Sequence, residues 1–157
     1  MHERWYDSDG NEYTLHKIID CLSEYVKKGG KIYVGTDSML FTSSCVYASA
    51  ICLHNPGLKV AKYYYSRARD RTGQSKNLKH KITQEVSYSI DIALFLLEHF
   101  PEASIEIHAD VGASKKSATN KFVEFIRGWI IGSGFDYQIK PKSWASSSVA
   151  DWHTKRS

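Results

Sequence analysis

Four acidic residues stand where a sheet-based protein could bring them together: Asp37, Glu85, Asp110 and Asp151. Carboxylates that converge repel one another, and proteins tolerate such clusters mainly where cations neutralise them. Two Mg²⁺ or Mn²⁺ ions about 4 Å apart would satisfy four carboxylates and leave water ligands able to attack a phosphodiester. Each acid also has an ordinary reading. Asp37 and Asp110 suit strand-end turns, Glu85 a solvated helix position and Asp151 a tail charge. The case for a site rests on where the surrounding elements put all four.

Lys31–Asp37 (KIYVGTD) reads as a strand ending in polar residues, and Ser104–Ala109 (SIEIHA) alternates as a later one. Tyr33, Gly35 and Asp37 share one parity, and Glu106, His108 and Asp110 share another. Side chains two apart lie on one face of a strand. If the two strands are parallel neighbours, both aspartates emerge at the carboxyl end of the sheet, where open α/β sheets place their sites. Between them lies a helix over about Lys79–Phe100, stopped by Pro101, with an apolar stripe of Ile82, Val86, Ile90, Ala93, Leu94 and Leu97. Glu85 falls about 60° from Ile82 and about 100° from Val86, at the stripe's edge. Asp91 and Glu98 on the same helix point away from it.

The remaining elements follow from periodicity and breakers. Thr14 caps a first helix carrying Leu15, Ile18, Ile19, Leu22 and Val26, stopped at Gly29-Gly30. Cys45–His54 and Leu58–Ser66 read as strands joined by a turn at Asn55-Pro56-Gly57. Arg67–Lys79 reads as a loop. Ala118–Ile131 reads as a helix with Phe122, Phe125, Ile126 and Trp129 on one side, Phe135–Lys140 as a short strand, and Ser146–Thr154 as a last short helix. Three consecutive strands followed by alternation predict a five-stranded mixed α/β sheet flanked by helices, with one additional N-terminal helix, in a single domain over residues 1–157.

Charge is concentrated in one place. The chain of 157 residues carries net +4, yet residues 59–81 hold eight Lys/Arg against Asp70 alone. The rest of the chain is therefore mildly acidic. Local basicity on a nearly balanced protein suggests an anionic partner. Arg67, Arg69, Arg71 and Lys76 are the candidates for phosphate contact, joined by Lys115 and Lys142 in later loops. Tyr63, Tyr64 and Tyr65 interleave with these cations. Tyr64 is assigned to the core, while Tyr63 and Tyr65 suit either strand packing or base stacking.

Other motifs are set aside. In DSDGNE at 7–12 glycine stands fourth and not sixth, and Ile18 stands where a calcium loop needs glutamate, so the segment reads as a turn. VGASKK at 111–116 lacks the full phosphate-loop pattern. Cys21, Cys45 and Cys52 form no CxxC pair and suggest neither a disulfide framework nor a zinc site. No stretch approaches ~18 apolar residues and the first ten are too polar for a signal peptide, which predicts a cytoplasmic protein away from membranes.

The order of elements and the four acids resemble the ribonuclease H-like fold. More narrowly, the chain resembles the YkuK-type family of ribonuclease H-like nucleases. The resemblance is carried by Asp9-Gly10, IYVGTDS at 32–38, HADVG at 108–112, GSGFDYQIKPKS at 132–143 and SSSVADWHTK at 146–155. It implies that Asp37, Glu85, Asp110 and Asp151 are the catalytic and metal-ligating residues, with Asp37 bridging two Mg²⁺ or Mn²⁺ ions. It further implies RNA, DNA or their hybrid as partner, either cleaved or gripped without cleavage. One departure stands out. Ribonucleases H often carry a histidine in the loop before the last helix, and here KPKSWASSS offers Lys140, Lys142 and Ser143. His108 and His153 lie near the acids and suit either service to the site or a structural role.

Overall fold

A computed structural model describes residues 4–54 and 60–154. Two short strands come first, β1 (Trp5–Asp7) and β2 (Glu12–Tyr13), then helix α1 (Leu15–Lys27). Strands β3 (Ile32–Leu40), β4 (Cys45–His54) and β5 (Val60–Asp70) lead through a 3₁₀ turn (Gln74–Lys76) into helix α2 (Leu78–His99). Strand β6 (Ile105–His108), helix α3 (Val123–Gly132), strand β7 (Asp136–Gln138), a π-wound segment (Ala145–Ala150) and helix α4 (Asp151–Thr154) complete the order. The predicted turn at Asn55-Pro56-Gly57 lies outside the described residues.

The sheet has seven strands in the order β2-β1-β5-β4-β3-β6-β7, not the five expected. The two extra strands form a hairpin ahead of α1, so that helix does not open the fold. Strands of two and three residues are too short to show alternation. Backbone pairing to Tyr64 and Tyr65 of β5 holds them, together with Asp7, whose carboxylate accepts from Asp9 N, Asn11 N, Asn11 Nδ2 and Tyr13 Oη. DSDGNE is accordingly a hairpin turn. Helix α1 begins where Thr14 predicts, with Thr14 Oγ1 accepting from Lys17 N at 3.1 Å, and ends before Gly29 at φ 81°, a backbone region that favours glycine.

Strands β3 and β6 are parallel neighbours, with Tyr33 opposite Glu106 and Gly35 opposite His108. That pairing sets the site. However, β3 runs on to Leu40 because β4 pairs antiparallel along its whole length, so Asp37 lies within the strand and does not end it. Asp110 falls two residues past the end of β6. The basic stretch is also only partly a loop: β5 continues through Asp70, with Arg67 opposite Ala48 and Arg69 opposite Val46.

The main apolar layer lies between one sheet face and the long helices. Ile32, Val34, Ile51, Ile105 and Ile107 meet Ile18 and Leu22 of α1, Ile82, Val86, Ile90, Ala93 and Leu96 of α2, and Ile126 and Ile130 of α3. Two expected core positions are exposed: Leu94, which the wound helix turns outward, and Phe125, because α3 starts at Val123 and buries Val123, Ile126 and Ile130 instead. The opposite face carries a smaller layer of Ala50, Cys52, Ala145 and Ala150 with Tyr33, Tyr63 and Trp144 against it. Here the backbone at 145–146 lies directly on β3. A Cβ at Gly35 would stand 2.5 Å from Ser146 N and 2.6 Å from the Ala145 carbonyl carbon, so only glycine admits this approach.

Candidate functional site

Asp37 shares a face with Gly35, and that face receives the C-terminal segment. His108 anchors the segment: its Nδ1 accepts from Ala145 N at 3.0 Å, and its Nε2 lies 3.0 Å from Glu106 Oε1. The first contact leaves the ring proton on Nε2, which donates to Glu106. Burial lowers the tendency of this imidazole to take a second proton. Lys31 Nζ completes the row at 2.6 Å from Glu106. His108 is thus structural. His153 packs within the fold, with Nε2 3.0 Å from Tyr63 Oη and its ring stacked 3.5 Å above Tyr65.

Winding at 145–150 is wider than an α-helix, and Asp151 N donates back to Ser146 O. It delivers Asp151 to the side of Asp37, where the two carboxyls face each other. Two facing carboxyls repel unless a proton or a cation neutralises one of them. Asp37 is almost fully buried, and burial, the charge of Glu85, the nearby Asp151 carboxyl and the charge of Asp110 push its carboxyl up to about 9.

Glu85 enters from α2, on the other side of β3. It is 5% exposed, accepts from Ser38 Oγ and lies 3.7 Å from Lys81 Nζ. Burial raises it to about 7 against the opposing pull of Lys81 and Ser38, and the charge of Asp110 adds to the rise. Glu85 and Asp110 line one crevice with Thr36, Val86 and His108. Asp91 and Glu98 are exposed, as the helix arithmetic requires. Below the crevice Thr36 Oγ1 lies 2.8 Å from both Ser49 Oγ and Ser89 Oγ, tying β3 to β4 and α2.

The structure therefore brings Asp37 within electrostatic reach of Glu85, Asp110 and Asp151, and Glu85 within reach of Asp110. As the side chains stand, each acid faces a partner within the chain. Among the described residues, no group of three His, Cys, Asp or Glu is arranged to hold a metal ion. The donor set itself suits a hard divalent cation, being carboxylate oxygen throughout. One oxygen in it is incompletely served: Asp110 Oδ1 is buried and accepts no hydrogen bond, with Lys140 Nζ 3.4 Å away. Ser38, Lys81 and Lys140 were not among the expected site residues. Lys81 is four residues from Glu85 and Ser38 adjoins Asp37, so both were visible as spacing. Lys140 is brought in by the fold alone.

The basic candidates divide. Arg67 lies in one cross-strand row with Ala48 and Asp37, on the same face, with its guanidinium 5.3 Å from the Tyr65 ring. Arg69 shares that face, bonds Ser44 Oγ at 2.6 Å and covers Phe41. Arg71 and Lys76 border a separate cleft of about 150 Å³ lined also by Leu40, Phe41 and Cys45. Lys115 and Lys142 are exposed on loops. Tyr64 is in the core, and Tyr65 is covered by His153. No helix among the described residues is long and apolar enough to cross a membrane.

A comparison with curated proteins returns no match. A family model described as ribonuclease H-like matches residues 14–155, from the cap of α1 to just past α4. That span contains all four carboxylates and the parallel β3–β6 pair that aligns them. The chain belongs to the ribonuclease H-like family, in its YkuK-type branch.

Proposed function

We propose that this protein hydrolyses phosphodiester bonds in nucleic acid at the four-carboxylate site. The observation that carries the reading is the buried Asp37 carboxyl set beside the carboxyls of Asp151, Glu85 and Asp110, an arrangement that destabilises a protein with no use for it. Asp37, Glu85, Asp110 and Asp151 would hold Mg²⁺ or Mn²⁺. When bound, such ions make water a stronger nucleophile at neutral pH and stabilise the leaving oxygen. The chain's own part is positional. Parallel pairing of β3 and β6 aligns Asp37 and Asp110, His108 fixes the segment that delivers Asp151, and Ser38 orients Glu85. Arg67, on the face of Asp37, supplies positive charge for the phosphates of a bound strand.

A non-cleaving nucleic-acid module is the second reading, favoured by the internal partners that all four acids have in this structure. End-labelled RNA, DNA and hybrid panels in Mg²⁺, Mn²⁺ or EDTA separate the two. Metal-dependent cleavage that disappears in Asp37→Asn, with binding retained, supports the nuclease. Salt-sensitive binding with no cleavage under any condition supports the module.

A further inference from the structure

Among the described residues, Lys140 reaches an acid of the site from a distant part of the chain by ion pairing. Its backbone is fastened beyond β6, with Lys140 N donating to Val111 O at 2.9 Å. From there the side chain runs past Gly112, where a Cβ would lie 3.7 Å from Lys140 Cδ, and the ammonium stops 3.4 Å from Asp110 Oδ1. Lys81 differs, since its pairing with Glu85 is the ordinary i,i+4 contact of one helix. The oxygen that Lys140 faces is the buried one that accepts no hydrogen bond. An ammonium at that separation offsets the charge of Asp110 without occupying its lone pair.

We propose that Lys140 is a resident counter-cation that a divalent ion must displace from Asp110, and that it thereby sets the metal concentration at which the site fills. This rests on the metal-site reading above. Two positive charges cannot share one carboxylate oxygen without mutual repulsion. Metal binding therefore includes the loss of the Lys140–Asp110 pair. Removing the ammonium removes that opposing contribution while leaving all four carboxylates in place. The side chain is 46% exposed, so the contribution is that of a partly solvated pair, worth about two- to fivefold in affinity.

Mn²⁺ titration by calorimetry and by electron paramagnetic resonance, without nucleic acid, tests this independently of activity. Lys140→Met should bind Mn²⁺ about two- to fivefold more tightly than wild type, and Lys140→Arg should stay near wild type. Lys17→Met, which removes the same charge from the exposed side of α1, should also stay near wild type. Equal or weaker binding by Lys140→Met overturns the role of Lys140, as would equal tightening by Lys140→Arg or Lys17→Met. If wild type and Lys140→Met both fail to bind Mn²⁺, or Asp37→Asn binds it as well as wild type, the metal-site reading itself fails.

Discussion

A buried carboxyl whose proton is held more tightly in the folded chain than in the unfolded one ties stability to pH. Asp37 rises from 3.8 to about 9 and Glu85 from 4.5 to about 7. Between the two values of each group the folded state binds more protons than the unfolded state, so stability falls as pH rises. Asp37 therefore opposes folding increasingly from about pH 4 to about pH 9, and Glu85 does so from about pH 4.5 to about pH 7. Urea midpoints measured in EDTA at pH 5, 7 and 9 should decline in wild type and decline less in Asp37→Asn. Identical slopes would show that the carboxyl is not held in this way. Added Mn²⁺ should restore the wild-type midpoint at pH 9 and leave Asp37→Asn nearly unchanged, because the ion replaces the proton as the neutralising charge.

At the scale of elements, the site depends on how closely the C-terminal segment lies on β3. Gly35→Ala sets a methyl group against the backbone at Ala145 and Ser146, and backbone cannot yield as a flexible side chain does. Overpacking of this kind typically costs about 1–3 kcal/mol, and the urea midpoint should fall accordingly. Mn²⁺ affinity should fall too, because the displaced segment carries Asp151. If stability falls and metal affinity does not, the segment is not what delivers the acid. The parity of Asp37 with Gly35 and of Asp110 with His108 was legible in the sequence, since strand alternation is local, and so was the cap at Thr14. The extension of β5 through Arg67 and Arg69 was not, because a polar strand end has the composition of a loop and only pairing with β4 settles it. The contact of Lys140 with Asp110 joins positions thirty apart in the chain and no local pattern records it.

Over the whole molecule, charge is arranged asymmetrically. The chain is +4 in total, with its basic excess in residues 59–81, yet that excess is split between a sheet face and a separate cleft. Arg67 and Arg69 share the face of Asp37, whereas Arg71 and Lys76 border the cleft. Nucleic-acid binding should weaken as salt increases, with a slope that reports the number of phosphates neutralised. Arg67→Ala should reduce that slope by about one contact, roughly 0.7–0.9 in log–log terms. Arg71→Ala should reduce it less if a bound strand follows the sheet face. Equal reductions would place the strand across both regions. The seven-stranded sheet was expected as five because the added hairpin is held by Asp7 and by pairing to β5, neither of which leaves a periodic trace.

The sheet also keeps its large apolar layer under α1, α2 and α3, while Asp37 and Asp151 meet on the far side under the last ten described residues. The Asp37–Asp151 pair is therefore inherited on a different surface from the main core, whereas Glu85 stands on α2 beside it. Substitution of Asp37 spares the layer that holds the chain together, and by the proton argument it makes the fold sturdier. A lineage of this architecture can lose Asp37 in a single step without giving up its core. Retaining Asp37 runs against that gradient, and the fold carries the burden of its buried carboxyl at neutral pH.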